Sequence, residues 1–273
     1  IESTQKIKYT APKAYGTQDR AVTAQDYEAI VRQVYPATSD IIIFGGEDQD
    51  PPEYGRVFIA LKPKDASYLT SLTKNQIIEE LKKYVVASVE PKLIDPSILY
   101  VELMSKIYYN RESTDQTPAQ IRDKVIGSVQ SYLDTSDTEK FNGKFRYSKV
   151  VGVIDDADKS INSNLTEVTM RKDFYPSLNS TFYYEVCFQN AFDVNCDDPI
   201  LSSTGFRVTE YPNFDVYVED RGGKIVLYRL DSVTGEKVVL DSDIGDIDYV
   251  NGELKMYALT IIKGSFFDNR ISV

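Results

Sequence analysis

Apolar positions in the first hundred residues switch between two periods. Tyr27, Ile30, Val31 and Val34 recur at helical spacing behind Thr23, with Asp26 three residues on as a variant capping box, and Pro36 ends the stretch. Asp40 to Phe44 holds a continuous apolar run closed by Gly45 and Gly46, the pattern of a buried strand, and Val57 to Leu61 repeats it before Pro63. A second helical stripe, Ile77, Ile78, Leu81, Tyr84 and Val85, follows a cap at Thr73 and predicts a helix to Ala87. Pro91 and Pro96 bracket a turn into a long strand, Ile98 to Tyr109. With a short strand at residues 5–9, the order is strand, helix, strand, strand, helix, strand. That order predicts a split βαβ, ferredoxin-like domain with both helices on one face of an antiparallel sheet.

The middle of the chain opens on Thr117-Pro118, a cap followed by Pro at the first helical position. Ile121, Val125, Val129, Tyr132 and Leu133 line a helix ending near Asp134, and a shorter one runs from Arg146 to Ile154. Strand-like runs follow at Leu165 to Arg171 and Phe182 to Gln189. After Pro199 the character changes to short alternating strands at Val216–Val218, Lys224–Leu230, Lys237–Leu240 and Leu254–Ile262. Turn signals at Gly222-Gly223, Thr234-Gly235 and Asn251-Gly252 separate them. The expected fold is α+β: a ferredoxin-like domain over 1–110, a second α+β domain over 111–198 and an all-β module over 199–273.

Composition narrows the class. The 273 residues are 42% hydrophobic and 12% aromatic, enough for real cores, and no apolar run approaches the roughly 18 residues of a membrane span. The chain starts at Ile1 with no signal-peptide pattern, which reads as the C-terminal portion of a longer protein. With no apolar run of spanning length, no membrane is an expected partner, and a net charge of −11 repels phosphate backbones, so nucleic acid is not one either. Glu210 to Glu253 alone holds eleven acidic and four basic residues. Twenty tyrosines, each joining apolar area to a hydrogen-bonding tip, suit a subunit with many neighbours. Cys187 and Cys196 read as two free thiols, because one pair makes no disulfide framework.

Candidate chemistry is sparse. The sequence has no histidine, which removes the usual general base, the usual zinc ligand and every Ser-His or Cys-His pair. Two carboxylate groups remain as cation candidates: Glu47, Asp48, Asp50 and Glu53 in one loop, and Asp155, Asp156 and Asp158 at a helix end. Neither has the spacing of a calcium loop. No catalytic, cofactor-binding or metal residue is assigned, and an enzyme is not expected.

The segment from Tyr9 to Ile30 contains Ala11-Pro12, then Arg20-Ala21-Val22-Thr23, then Asp26-Tyr27. It resembles the J-like family of baseplate proteins from contractile-tailed phages. Ser39-Asp40-Ile41 and the run Gly45 to Gly55 are similar to the T-even-type wedge-ring members in particular. The resemblance is clear over residues 6–62 and looser to about 110. It implies a structural, virion-located wedge subunit, assembled in the host cytoplasm. Such a subunit pairs with itself in a ring around the central hub, touches other wedge proteins and shares in the rearrangement that triggers sheath contraction. The rival reading, from the acidic all-β module, is a carbohydrate- or receptor-binding tail module, with a calcium-dependent hydrolase a distant third. Self-association is expected through a two-fold patch within residues 1–195, because the acidic segment would face its own charge.

Overall fold

The computed structural model describes residues 4–49, 51–64, 66–194 and 199–273. They gather into two units, Ile1–Ser97 with Ile107–Asn164, and Ile98–Lys106 with Leu165–Val273. The first unit opens on a helix, α1 (Thr4–Thr17), where a strand was expected at residues 5–9. Among the described residues no strand pairs with that stretch, and it folds instead along the next helix, α2 (Ala24–Val34). Thr23 caps α2 as expected. Its hydroxyl accepts from the Asp26 amide at 3.3 Å, and the Asp26 carboxylate accepts from the Thr23 amide at 2.8 Å. That backbone donor holds the Asp26 carboxyl below the usual carboxylate range.

β1 (Thr38–Gly45) and β2 (Arg56–Pro63) run antiparallel, and β3 (Glu90–Ile94) lies parallel to β2, giving a three-stranded sheet in the order β1-β2-β3. The helix between β2 and β3, α3 (Ser71–Leu81), takes its cap from Thr70, three residues earlier than expected, and stops at Leu81 rather than Ala87. Tyr27, Ile30 and Val31 of α2, Ile59 and Leu61 of β2, and Ile77 and Leu81 of α3 share one core with Ala21. Both helices therefore cover the same face of the sheet. Each fully buried Leu or Ile in this layer contributes about 1.5–3 kcal/mol of transfer free energy. The ferredoxin-like arrangement is nevertheless not the one formed. Its first strand is helical, and its last, β4 (Tyr100–Tyr109), leaves the sheet to pair with β5 (Ile161–Arg171). Cross-strand contacts between Asn110 and Ser160, Ser105 and Thr166, and Glu102 and Arg171 run in opposite senses, so this ribbon is antiparallel.

Between the two ribbon strands lie α4 (Pro118–Thr135), with a Thr117–Gln120 capping box, and α5 (Tyr147–Asp155). These helices pack together, with Ile121, Val125, Val150 and Ile154 buried. Their connecting loop is tied to the sheet at one register pair. The Phe141 amide donates to Asp40 at 2.8 Å, and Lys62, opposite Asp40, donates to Glu139 at 2.9 Å.

The second unit is mostly β, as expected for the C-terminal part. It comprises β6 (Asp173–Phe174), β7 (Thr181–Cys187), β8 (Phe206–Val208), β9 (Tyr211–Arg221), β10 (Lys224–Leu230), β11 (Lys237–Asp248), β12 (Glu253–Lys263) and β13 (Ile271–Ser272). The main sheet runs β11-β10-β9-β8-β12-β7, and a further β11–β12 pairing closes it into a barrel. β12 makes the closure. Residues 253–256 pair with β11, and Ile261 and Lys263 pair with β8, while β7 runs along residues 253–260. Phe206, Val216, Ile225, Leu227, Leu254, Met256 and Ile261 fill the interior. The turn signals sit between the strands as predicted. Gly252, at φ +64°, could not carry a side chain, because a Cβ there would come within 1.9 Å of the Asn190 carbonyl oxygen.

Candidate assembly surfaces

The motif carrying the resemblance is built into the scaffold of the first unit. Ala21 is buried and bridges to Val85, its amide donating to the Tyr84 carbonyl at 2.8 Å. Thr23 and Asp26 cap α2, and Tyr27 enters the core. Val22, between them, is exposed. The chemistry of Arg20-Ala21-Val22-Thr23 thus fixes where the chain enters a helix.

The cation candidates are dispersed. Glu53 is held by Arg56, whose guanidinium keeps its carboxyl below the usual range, and Lys92 lies 3.7 Å away. Gly46 folds the same loop tightly, its carbonyl accepting from the Glu53 amide at 2.8 Å. Asp50 lies outside the described residues. Asp158 accepts from Lys124 at 2.8 Å and from the Ser160 amide and hydroxyl, and these donors hold it far below the ordinary carboxylate range. Asp155 accepts from the Asn164 amide nitrogen at 2.7 Å. Among the described residues, no three acidic or Cys side chains converge as a metal site would require. Cys187 is a free thiol, and Cys196 lies outside the described residues.

The acids of the segment Glu210–Glu253 play different roles. Glu219 and Asp220 are buried. Glu219 accepts from Arg221 and Lys237, and Asp220 accepts from the Leu201 amide at 2.6 Å and the Tyr249 hydroxyl at 2.7 Å. Lys224 gathers Asp243 and Asp246, whose carboxylates push its ammonium pKa up. Of the remaining carboxylates, Glu210, Glu236 and Asp241 are exposed, Asp215 pairs with Arg207, and Asp231 and Asp248 accept from turn amides. Two buried acids of this segment are structural, a role that a charge count cannot separate from surface charge.

Exposed apolar side chains remain in both units. Tyr15, Val22 and Tyr54 project from the first, and Met104, Tyr175, Phe182, Tyr183 and Phe267 from the second. They carry no catalytic geometry and suit contact with other protein surfaces. Among the described residues, no helix is long and apolar enough to cross a membrane.

Two family models match consecutive stretches of the chain. Residues 23–94 match baseplate structural protein gp6, C-terminal domain I, and residues 97–173 match C-terminal domain III of the same protein. Residues 23–173 are thus similar to the C-terminal part of gp6. The baseplate wedge protein gp6 of Enterobacteria phage T4 is 29% identical over 169 residues, which is 62% of this chain. The chain spans about a quarter of that relative's length, 25%. The matches support the gp6-like part of the expected resemblance and not the J-like family label. The first gp6-like segment holds α2, β1, β2, α3 and β3, and the second holds the ribbon β4–β5 with α4 and α5 between its strands.

Proposed function

We propose that this chain is a structural subunit of the baseplate wedge of a contractile-tailed phage. In this reading it pairs with itself within a ring around the central hub, contacts other wedge proteins and takes part in the rearrangement that triggers sheath contraction. It resides in the virion tail baseplate after assembly in the host cytoplasm, performs no catalysis and needs neither nucleic acid nor membrane. The observation that carries the reading is the pair of adjacent gp6 C-terminal matches, in order, from residue 23 to residue 173. The build of the molecule agrees with it: the distinctive motif residues hold the fold, and candidate carboxylates such as Glu53 and Asp158 are engaged by lysine or arginine. An epitope tag placed on this chain in its own genome tests the proposal. Immunogold labelling of purified particles is expected at the distal end of the tail. Particles free of the tag, or labelled only on the head, would overturn it.

The carbohydrate- or receptor-binding reading keeps one footing, because barrel strands β7–β12 lie beyond the two family-model matches, which end at residue 173. A glycan array probed with the full chain addresses it, and specific retention on a glycan would favour that reading.

A further inference from the structure

We propose that β7 pairs edge to edge, antiparallel, with β7 of a second copy of this chain, so that the two main sheets join across a two-fold axis. The inference rests on the self-association reading above and assigns that contact to a strand. β7 is the terminal strand of its sheet, bonded to β12 along one side only. The Phe188 amide donates to the Gly252 carbonyl at 2.8 Å, which fixes the parity of the strand. Residues 188, 186 and 184 turn their backbone groups toward β12, and Tyr183, Glu185 and Cys187 turn theirs to the open side. Among the described residues, no backbone group bonds to that side. A row of alternating donors and acceptors in this state is a template for another strand.

The composition of the edge is permissive. Thr181-Phe182-Tyr183-Tyr184-Glu185-Val186-Cys187 contains no Pro and no Lys, the residues that commonly blunt an exposed edge. Its β-branched and aromatic residues suit a pleated surface. Tyr183 is 77% exposed and Phe182 is 47% exposed, although Val186 on the same strand is buried in the barrel core.

The occupant follows from register and charge. A hydrogen-bonded antiparallel pair needs two outward-turned residues opposite each other. Tyr183 opposite Tyr183 of the second copy, or Tyr183 opposite Glu185 of the second copy, meets that condition with no like charges facing. Centring the pair on Glu185 would set two carboxylates face to face, a destabilising cross-strand pair, so the two-fold lies near Tyr183. Lys255 on β12 already accompanies Glu185 at 3.1 Å, and the joined sheet then reads Lys255, Glu185, Tyr183 outward from β12. The strand is complementary to itself, and the isologous geometry uses one patch twice.

The test is sedimentation equilibrium of the full chain at micromolar concentration, with Tyr183→Pro and Tyr183→Lys as variants. The Tyr183 amide faces the open side, so Pro there removes an outward donor and leaves the bonds to β12 in place. Wild-type chain is expected to dimerise, and both variants to weaken the dimer by about tenfold or more with unchanged circular dichroism and melting temperature. A Tyr183→Cys, Glu185→Cys double variant, with Cys187→Ser and Cys196→Ser, is expected to form an interchain disulfide under mild oxidation. If wild type and both variants dimerise equally, or the double variant does not cross-link, the β7 assignment is overturned and self-association stands. If the wild-type chain stays monomeric throughout, the self-association reading falls with it.

Discussion

Replacing Glu219 by Gln tests whether the buried ion pairs of the barrel stabilise it through charge. The Glu219 side chain is only 3% exposed. Its carboxylate accepts from Arg221 Nη2 at 2.8 Å and Nε at 3.0 Å, and from Lys237 Nζ at 2.5 Å. Breaking a buried ion pair from one side commonly costs about 3–5 kcal/mol. Here Arg221 and Lys237 are 53% and 43% exposed and can rehydrate, which lowers the expected loss to about 1–3 kcal/mol. Burial alone pushes the Glu219 carboxyl up, but the Lys237 and Arg221 donors outweigh it, and its pKa in the folded chain lies below the ordinary glutamate value. The stabilisation is therefore complete above the unfolded-state pKa and is lost as pH falls through the folded one. Urea denaturation at pH 7, followed by far-ultraviolet circular dichroism, should show the variant unfolding at lower denaturant with an unchanged slope. The gap from wild type should shrink as pH falls from the ordinary glutamate range through the lower folded-state pKa, where Glu219 becomes neutral like the Gln that replaces it. Equal stability at pH 7, or a gap that persists undiminished in acid, would refute the charge-based account.

Thr23→Ala removes the acceptor of the Asp26 amide at the start of α2 and is expected to cost about 1 kcal/mol, read as a lower urea midpoint for the helical signal. Gly46→Ala places a Cβ 1.8 Å from the Glu53 carbonyl oxygen, so the loop backbone must move. A loss of about 2 kcal/mol or more is expected, with faster amide exchange at Glu53; an unperturbed melt would show that this loop is not held as described.

What was legible in the sequence is what local periodicity determines. The stripes of α2, α3, α4 and α5 emerged from 3.6-residue spacing, and the turns at Gly222-Gly223, Thr234-Gly235 and Asn251-Gly252 from residues that tolerate positive φ. What escaped depends on distant partners. The Lys6-Ile7-Lys8-Tyr9 alternation suggests a strand, and Pro12 argues against a helix, yet α1 forms with Pro12 inside it and packs along α2. β4 has the apolar alternation of a sheet member, but no local signal tells it to leave β3 and join β5. β7 looks like the end of an α+β segment, and only its pairing with Glu253–Thr260 reveals it as a barrel-sheet strand. The candidate carboxylates show the same limit. Glu219 and Glu210 are both acidic residues in one acidic run, and only the fold shows that the first is interior.

The β4–β5 ribbon also sets a timetable for synthesis. β4 ends at Tyr109 and its partner does not begin until Ile161, with two helices between them. On a ribosome adding roughly 5–20 residues per second, β4 leaves the tunnel several seconds before any partner strand exists. During that interval Tyr100, Met104 and Tyr108 sit on a strand with two open edges, while α2, α3 and the three-stranded sheet can already close. Slowing translation across α4 and α5 should lengthen this exposure. The sensitivity of nascent chains to holdase chaperones should then peak between the emergence of Tyr109 and that of Arg171.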